Sequence, residues 1–164
     1  MSPAAPQIRP MTAGDVDEVV ALERLCFPTG WHAAAYLSEL GNPAALYLAA
    51  RVGGELVGFA GASVAVGEMH LLTLAVAPAC RRQGYGERML RALLAEAYRR
   101  GARRATLEVR EGNRAASALY QRYGFVPVAY IGRYYSDTGE DAVVMWLNPL
   151  PPRLRVRSGR ALAK

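Results

Sequence analysis

The stretch "VAPACRRQGYG", residues 76–86, leads from an apolar segment into one with helical spacing, and it holds two arginines and two glycines. The first N–H groups of a helix have no partner inside it, and the helix dipole places partial positive charge there. The main chain at such a start can hold a diphosphate, and glycine lets it approach because glycine lacks a Cβ. A G-x-G pair alone is nevertheless more typical of an ordinary loop before a helix.

Two better-known phosphate-binding motifs do not match this stretch. The dinucleotide fingerprint needs a third glycine where Met89 stands, and the ATP-binding P-loop needs a lysine and a hydroxyl residue that are missing here. The stretch does resemble the acyl-CoA signature of the GNAT acetyltransferases: an arginine or glutamine, two residues, a glycine, one residue, and a glycine or alanine. Arg81, Gly84 and Gly86 occupy the three defining positions, and Pro78 stands where the resemblance expects it.

The apolar spacing outside this loop predicts a mixed α/β domain built on one central sheet. Helices are expected where apolar residues recur every three to four positions, and strands where short apolar runs lie between turn residues. The predicted helices begin at Thr12, cover 31–40 and 84–100, and run from Asn113 to Tyr123. The predicted strands cover 45–51, 56–66, 69–76, 105–109, 125–135 and 141–147. The strand over 69–76, "MHLLTLAV", is mostly apolar, which predicts burial on both faces.

Composition and cysteine usage narrow the class of protein. The hydrophobic content of 52% argues against a disordered chain. Cys26 and Cys80 are far apart and show no metal-ligand spacing with His32 or His70, so we expect neither a disulfide framework nor a metal site. Both histidines are interpreted as structural or exposed. With no apolar run of membrane-spanning length and no signal-peptide pattern, a cytoplasmic protein without membrane contact is expected.

The positive charge of the chain is concentrated at its C-terminal end. The net charge is +6, with 20 Lys and Arg against 14 Asp and Glu. Residues 148–164 hold five of the basic residues and no acid, so the remainder carries fifteen bases against fourteen acids. The prolines of "NPLPPR" interrupt regular structure. They predict a single domain over 1–148 and a disordered basic tail over 149–164.

Three further stretches resemble the RimI family, GNAT enzymes that acetylate the N-terminal alanine of a small-subunit ribosomal protein. They are "CFPTGW" at 26–31, "TLEVREGNRAASALYQRYGF" at 106–125 and "YYSDTGEDAVVMWL" at 134–147. The resemblance extends over residues 8–148. The chain departs from the family at "IGRYY", where Gly132 and Arg133 are arranged differently, which bears on peptide preference. It also departs at Glu87, where the family often has a basic residue that favours phosphate contact.

The resemblance implies the GNAT fold, a twisted sheet that is flanked by helices and splayed open beside the strand ending at Val76. In this fold the pantetheine arm of acetyl-CoA lies in the opening like an extra strand, and the diphosphate rests on the following loop. The Val76 N–H would polarise the thioester oxygen. The residues expected to bind acetyl-CoA are Leu74, Ala75, Val76, Arg81, Arg82, Gln83, Gly84, Tyr85, Gly86, Glu87 and Asn113. The residues expected at the peptide groove are Trp31, Tyr134 and Tyr135.

Glu108 is the candidate general base. An α-amino group has a pKa of about 8, so most of it is protonated at neutral pH and a base is useful. Strand alternation turns Glu108 away from Leu107 and Val109, on the same side as Thr106. On this pattern alone a solvated carboxylate is the more typical role. The resemblance to the family's base position within "LEVR" implies the catalytic one.

Tyr120 is the candidate general acid for the leaving thiolate. A phenol has a pKa of about 10 and is neutral at rest, so it can supply a proton. Tyr120 also shares a helical stripe with Ala116, Leu119 and Tyr123, which is the pattern of a core residue. The ring could be packed while the hydroxyl reaches the thiol. Asn113 is expected to cap this helix and could also contact the cofactor.

The resemblance therefore favours an acetyl-CoA-dependent N-terminal acetyltransferase that acts on a ribosomal protein by direct transfer, without a metal. One alternative is acetylation of a small amine, and another is a binding module that senses acyl-CoA without turnover. Glu108 and Tyr120 argue against the sensor, because binding alone requires neither. The basic tail is either a solubilising end or a weak, salt-sensitive tether to RNA or the ribosome.

Overall fold

A computed structural model describes residues 4–27 and 30–154. Its strands are β1 (Gln7–Pro10), β2 (Ala45–Val52), β3 (Glu55–Ala65), β4 (Glu68–Val76), β5 (Arg104–Arg110), β6 (Val126–Ile131) and β7 (Ala142–Leu147). Its α-helices are α1 (Val16–Cys26), α2 (Ala33–Leu40), α3 (Tyr85–Arg99) and α4 (Arg114–Arg122). Short 3-10 turns at Ala13–Asp15 and Pro78–Cys80 precede α1 and α3. The mixed α/β class predicted from the sequence is confirmed.

All seven strands belong to one sheet, in the order β1-β2-β3-β4-β5-β7-β6. Neighbouring strands are antiparallel except β4 and β5, which run parallel because α3 carries the chain back between them. This parallel pairing is short, from Glu68 beside Arg104 to Leu71 beside Leu107. Beyond Leu71, β4 has no strand partner on that side within the described residues. The splayed sheet that the resemblance implies is confirmed.

Helices cover both faces of the sheet, which leaves two apolar clusters separated by the strands. On one face α3 buries Met89 and Leu93 completely. On the other face α1 and α2 bury Val19 and Tyr36 around Phe59 of β3. A sheet covered on both faces explains why β2 and β3 are apolar over most of their length. Both layers hold β4 in place, so its position beside the splay is well defined.

Local signals in the sequence placed most helix starts and turns correctly. The N–H of Thr12 donates to the Asp15 carboxylate at 2.8 Å, which caps the first turn as predicted. The β2–β3 hairpin turns at Gly53–Gly54, and the Asn113 side chain accepts from the N–H of Ala116 at 3.1 Å at the start of α4. These predictions are confirmed.

Three predictions about the strands were wrong or incomplete. β1 was not predicted, because its four residues carry no apolar run; it forms by pairing with β2 from Gln7 opposite Arg51. The strand predicted over 125–135 ends at Ile131, and the chain then turns. β4 is not buried on both faces throughout: Leu72 is 43% exposed, because β5 has already diverged there.

The packed part of the chain extends past the predicted boundary at residue 148. Leu150 is buried, and its N–H donates to the carbonyl of Arg103 at 2.7 Å. Leu154 is half-buried and packs against the cluster that contains α3. Leu150 and Leu154, which lie close to the prolines, therefore belong to the hydrophobic core and not to the tail. Most of the predicted basic tail, 155–164, lies outside the described residues.

Replacing Gly58 with alanine should lower the free energy of unfolding by about 1–3 kcal/mol. A Cβ at this position would lie 2.7 Å from the carbonyl oxygen of Ala75 and 2.6 Å from Cε of Met89. The methionine can move, but the carbonyl belongs to β4 and cannot move without shifting that strand. Urea unfolding followed by circular dichroism measures the change. Gly14→Ala is the control, because its Cβ meets nothing closer than 3.6 Å; equal stability of the two variants would contradict the prediction.

Candidate active site

The opening between β4 and β5 forms a cavity of about 410 Å³. The divergence of the two strands creates it, and side chains of α1, α2, α4 and the loop between β6 and β7 close its sides. Six of the residues predicted for the site line it: Trp31, Leu74, Glu108, Asn113, Tyr120 and Tyr135. The structure thus brings the predicted base, the predicted acid and two of the predicted groove residues to one place.

The edge of β4 that faces the opening presents main-chain groups of alternate residues. The N–H of Ala77 donates to Val57 of β3 at 2.8 Å, so strand alternation turns the N–H and carbonyl of Val76 to the other edge. There the Val76 carbonyl accepts from Nε of Arg81 at 3.3 Å. The same alternation presents Leu74 to the opening. The carbonyl of Ala75 points toward β3 beside Gly58, so the predicted main-chain contact of Ala75 is not supported.

The loop between β4 and α3 has the backbone shape of an anion cradle. Arg82 adopts a φ of +62° and Gly84 a φ of +81° immediately before the first turn of α3. A non-glycine residue at positive φ is uncommon and is typical of binding loops. No atom lies within 4 Å of where a Gly84 Cβ would stand, so this side of the loop is open. The N–H groups at the start of α3 are thus accessible to a phosphate.

Two residues predicted to bind the cofactor direct their side chains elsewhere. The ring of Tyr85 is buried in the core, and its hydroxyl donates to the carbonyl of Ala4 at 3.3 Å. The carboxylate of Glu87 accepts from the hydroxyl of Tyr123 at 2.6 Å and from Arg122 at 3.3 Å. Glu87 therefore joins α3 to α4, and its charge is compensated there. Any contribution of these two positions to the cradle comes from their main chain.

Glu108 has the orientation that strand alternation predicts. Its side chain lines the cavity, whereas Leu107 and Val109 are buried in the core. Oε2 of Glu108 lies 2.6 Å from Nε2 of His70 on β4. The His70 side chain is about one-third exposed, and it contacts the predicted base. The carboxylate is about one-fifth exposed, and it stands at the rung where the two strands begin to separate.

Tyr120 is both a core residue and a cavity residue. Its ring is 7% exposed and packs edge-on against Phe125, with ring centroids 5.8 Å apart. Its hydroxyl makes no hydrogen bond within residues 4–27 and 30–154, and the side chain lines the cavity. Burial, with a smaller contribution from Tyr135, raises the pKa of Tyr120 above its ordinary value. The phenol is therefore neutral across the working pH range and holds a proton that it can donate.

Replacing Tyr120 with phenylalanine should lower kcat by about 10²-fold while the fold is retained. The ring and its contact with Phe125 remain, and only the proton donor is lost. Release of the CoA thiol, followed with a chromogenic disulfide, measures the rate. Tyr98→Phe is the control, because Tyr98 lies outside the cavity and its ring stacks under the guanidinium of Arg103. Wild-type turnover in the Tyr120 variant would exclude this hydroxyl as the acid.

Arg110 fixes the loop between β6 and β7 beside the cavity through its contacts with Asp137 and Tyr135. Arg110, at the end of β5, donates to both carboxylate oxygens of Asp137, at 2.9 and 3.0 Å, and lies 4.1 Å over the ring of Tyr135. The Arg110 guanidinium holds the pKa of Asp137 below its ordinary value. Tyr135 faces the cavity, whereas Tyr134 is 48% exposed and packs edge-on against Tyr135. Of the two predicted groove tyrosines, the structure places Tyr135 inside and Tyr134 at the rim.

Sequence reasoning missed Glu23, a buried carboxylate in the same cavity. It is 6% exposed and accepts from the N–H of Trp31 at 2.9 Å. The hydroxyl of Tyr36 lies against it, and burial together with this carboxylate raises the pKa of Tyr36. A Cβ on Gly30 would come within 3.0 Å of the Glu23 side chain, so the chain after α1 fits tightly there. Glu23 thereby holds Trp31 at the cavity mouth.

Two features are absent from the part of the chain that the structure describes. No cluster of three His, Cys, Asp or Glu side chains suited to a metal ion is found there. No helix among those residues is long and apolar enough to span a bilayer.

The geometry is consistent with an acyl-CoA site, and comparison with known proteins decides the family. The model of the Acetyltransferase (GNAT) family matches residues 16–125, which include β4, the cradle, Glu108 and Tyr120. The chain belongs to the GNAT acetyltransferase family. This acetyltransferase matches the family across most of its folded part, so the resemblance drawn from its sequence is confirmed.

Relatives of the acetyltransferase carry specific names. It is 34% identical over 141 residues to the putative [ribosomal protein bS18]-alanine N-acetyltransferase of Bacillus subtilis, covering 85% of this chain and 93% of the relative. It is 40% identical over 141 residues to the N-alpha-acetyltransferase RimI of Mycobacterium tuberculosis, covering 82% and 87%. The crystal structure of the ribosomal-protein-S18-alanine N-acetyltransferase from Escherichia coli superposes with a TM-score of 0.81 at 30% identity, covering 88% and 94%. The acetyltransferase is thus similar to the RimI enzymes in sequence and in fold.

Proposed function

We propose that this chain uses acetyl-CoA to acetylate the N-terminal α-amine of a protein, and that its substrate is a small-subunit ribosomal protein beginning with alanine. One observation carries the proposal: the unpaired edge of β4 leads into the loop that forms the cradle, and Glu108 faces the same opening. The names of the relatives support the choice of substrate. A ribosomal substrate places the reaction in the cytoplasm.

The main chain beside the opening offers groups that could hold acetyl-CoA. The N–H of Val76 and the main chain of Leu74 face the opening, where an extended pantetheine arm could pair with them. The residues 82–86 present helix-start N–H groups to a diphosphate. The cofactor would thus follow β4 and then turn onto the cradle. Bound acetyl-CoA supplies the acetyl group, activated as a thioester.

The side chains in the cavity supply the two proton transfers that the reaction needs. Glu108 accepts a proton from the attacking amine, directly or through one water. As the amine nitrogen bonds to the thioester carbon and the carbon–sulfur bond breaks, the Tyr120 hydroxyl donates a proton to the sulfur. Burial raises the pKa of Tyr120, which keeps the phenol protonated until the transfer. The N–H of Val76 stabilises the carbonyl oxygen as it gains charge.

The walls of the cavity favour a peptide over a small amine. Trp31 and Tyr135 both line the cavity, and another side chain holds each of them: Glu23 bonds the N–H of Trp31, and Arg110 lies over the ring of Tyr135. Rigid walls of this kind suit an extended chain that continues out of the site. A small amine would use only the inner part.

A comparison of acceptors tests the proposal. The purified enzyme is given acetyl-CoA and one of three acceptors: a peptide beginning with alanine, the same peptide with a blocked N-terminus and a free lysine, or spermidine. We expect one acetyl group on the α-amine of the first peptide, located by mass spectrometry, and kcat/KM at least about tenfold lower for the others. Preference for spermidine would replace the proposal with small-amine acetylation. Binding of acetyl-CoA without turnover of any acceptor would support a sensor.

The C-terminal tail should be dispensable for chemistry but not for ribosome contact. A chain ending at Leu154 keeps Leu150 and Leu154 on the core, so it should fold and acetylate a free peptide at the wild-type rate. The removed residues 155–164 carry four of the five basic charges of the tail. Co-sedimentation with ribosomal particles at low salt should weaken. For the full tail, log affinity should fall with log salt with a slope no steeper than about −3.5.

A second truncation separates the tail from the core. A chain ending at Asn148 also loses Leu150 and its hydrogen bond to Arg103, so it should unfold at lower urea concentration. If both truncated chains sediment with ribosomes like the full chain, the tail has no tethering role. If loss of 155–164 alone reduces peptide acetylation, the tail contributes to the active site.

A further inference from the structure

His70 and Glu108 contact each other because of the register between β4 and β5, two parallel strands that α3 connects. In the parallel pair, His70 of β4 lies beside Thr106 of β5. Paired residues point to the same face, and Glu108 follows Thr106 by two residues, so it points to that face as well. The next rung, Leu71 beside Leu107, is the last before the strands diverge. His70 is therefore a diagonal neighbour of Glu108 at the apex of the splay.

The contact between the two side chains has a definite direction. Nε2 of His70 lies 2.6 Å from Oε2 of Glu108. An ionised carboxylate has no proton to donate, so Nε2 carries the hydrogen and donates it. No other side chain in the described part of the chain donates to Glu108. One carboxylate oxygen is thus held by the imidazole, and the other remains available to an amine in the cavity.

We propose that His70 is a positioning residue for the reaction: its donated hydrogen bond holds the Glu108 carboxylate in the orientation in which it accepts the proton. This inference rests on the proposed function, in which Glu108 is the general base. The imidazole is itself about one-third exposed and does not line the cavity, so it acts on the substrate only through the carboxylate.

The charged and titratable groups around Glu108 determine what loss of His70 would do. They lie on the elements that border the cavity: His70 on β4, Arg110 on β5, Tyr120 on α4, Tyr135 on the β6–β7 loop, Glu23 on α1, Tyr36 on α2 and Tyr47 on β2. The guanidinium of Arg110 is held by Asp137, and Glu23 is bonded to the N–H of Trp31. His70 is thus the group that compensates the Glu108 charge by direct contact. Without it, no side chain of the described residues holds the Glu108 carboxylate in one orientation.

Three variants of the full chain test the proposal. His70→Leu removes the donor and should lower kcat by about 10-fold or more, the scale of one hydrogen bond to a charged group, while KM for acetyl-CoA stays unchanged. KM for the peptide should change much less than kcat, because His70 does not line the cavity. His70→Gln keeps a neutral donor and should recover most of kcat. Glu68→Gln is the matched control: it removes an ion pair with Arg104 between the same two strands, outside the cavity, and should leave kcat unchanged.

Rescue by glutamine and a double variant separate this inference from the proposed function. If His70 has a structural role alone, His70→Gln should be as slow as His70→Leu, or Glu68→Gln should lower kcat as much as His70→Leu does; either result overturns the inference. In a Glu108→Gln background, His70→Leu should have no further effect on kcat, because the carboxylate that His70 holds is gone. If Glu108→Gln is inactive while His70→Leu keeps the wild-type rate, only the role of His70 fails. If Glu108→Gln is fully active, the proposed base itself is wrong.

Discussion

Glu108→Gln is expected to lower kcat by roughly 10²–10⁴, with acetyl-CoA affinity close to that of the wild type. Glutamine has nearly the same shape but cannot take a proton from the amine at neutral pH. Because β5 and α4 hold their positions through the core, the cavity should persist. The peptide KM should change much less than kcat, since the residue acts on the proton and not on the body of the peptide.

The experiment needs a glutamate control from the same strand end. Glu111→Gln is suitable, because Glu111 is exposed, follows β5 and does not line the cavity. Steady-state rates are measured with saturating acetyl-CoA across a range of pH, since a high pH supplies more neutral amine and should partly restore the Glu108 variant. A variant with wild-type kcat at neutral pH would remove Glu108 from the mechanism.

Gly84→Asp is expected to abolish measurable acetyl-CoA binding. The residue has a φ of +81° at the start of α3, where an added carboxylate would meet the diphosphate. Aspartate is among the residues that tolerate this backbone conformation, and the space around the Cβ is open. The fold should therefore survive. Affinity for acetyl-CoA should be lost because the aspartate repels the diphosphate and occupies the anion site. The dipole of α3 is too weak to offset these two effects.

Gly84→Asn separates charge from shape. Asparagine also tolerates positive φ and is nearly the same size, but it is neutral, so this variant should keep part of the affinity. Calorimetric titration with acetyl-CoA gives the affinities, and circular dichroism verifies that each variant is folded. If the folded aspartate variant binds acetyl-CoA as tightly as the wild type, the cradle is not the diphosphate site.

Short-range sequence patterns predicted those parts of the site whose conformation depends on neighbouring residues in the chain. The glycines at 84 and 86 marked the cradle because a helix start and a positive φ are local properties. Asn113 marked the start of α4 for the same reason, and alternation placed Glu108 on the cavity face. The location of these elements in one cavity came from the resemblance.

The parts that sequence missed depend on long-range register. His70 meets Glu108 through a parallel pairing whose offset is set by α3 and the core, and no turn fixes it. Nothing in the local pattern of α1 distinguishes Glu23 from its other charged residues, and its carboxylate is buried because Gly30 and Trp31 pass closely over it. β1 exists only because β2 offers it an edge. A single sequence carries no direct record of such pairings.

Because β4 and β5 diverge, this sheet has an unpaired strand edge in its interior. A ligand that pairs with this edge couples its own binding to the stability of the fold. A peripheral edge can be shielded by charges or a short strand, whereas the edge of β4 beyond Leu71 must stay unpaired to be used. In the proposed function, a cofactor arm that pairs there would act as the missing strand and would bind only the native state. Melting temperature should therefore climb with acetyl-CoA concentration, with about 2.7 kcal/mol of added stability at 100 times Kd. Cells with abundant acetyl-CoA would keep this enzyme folded partly by keeping it loaded.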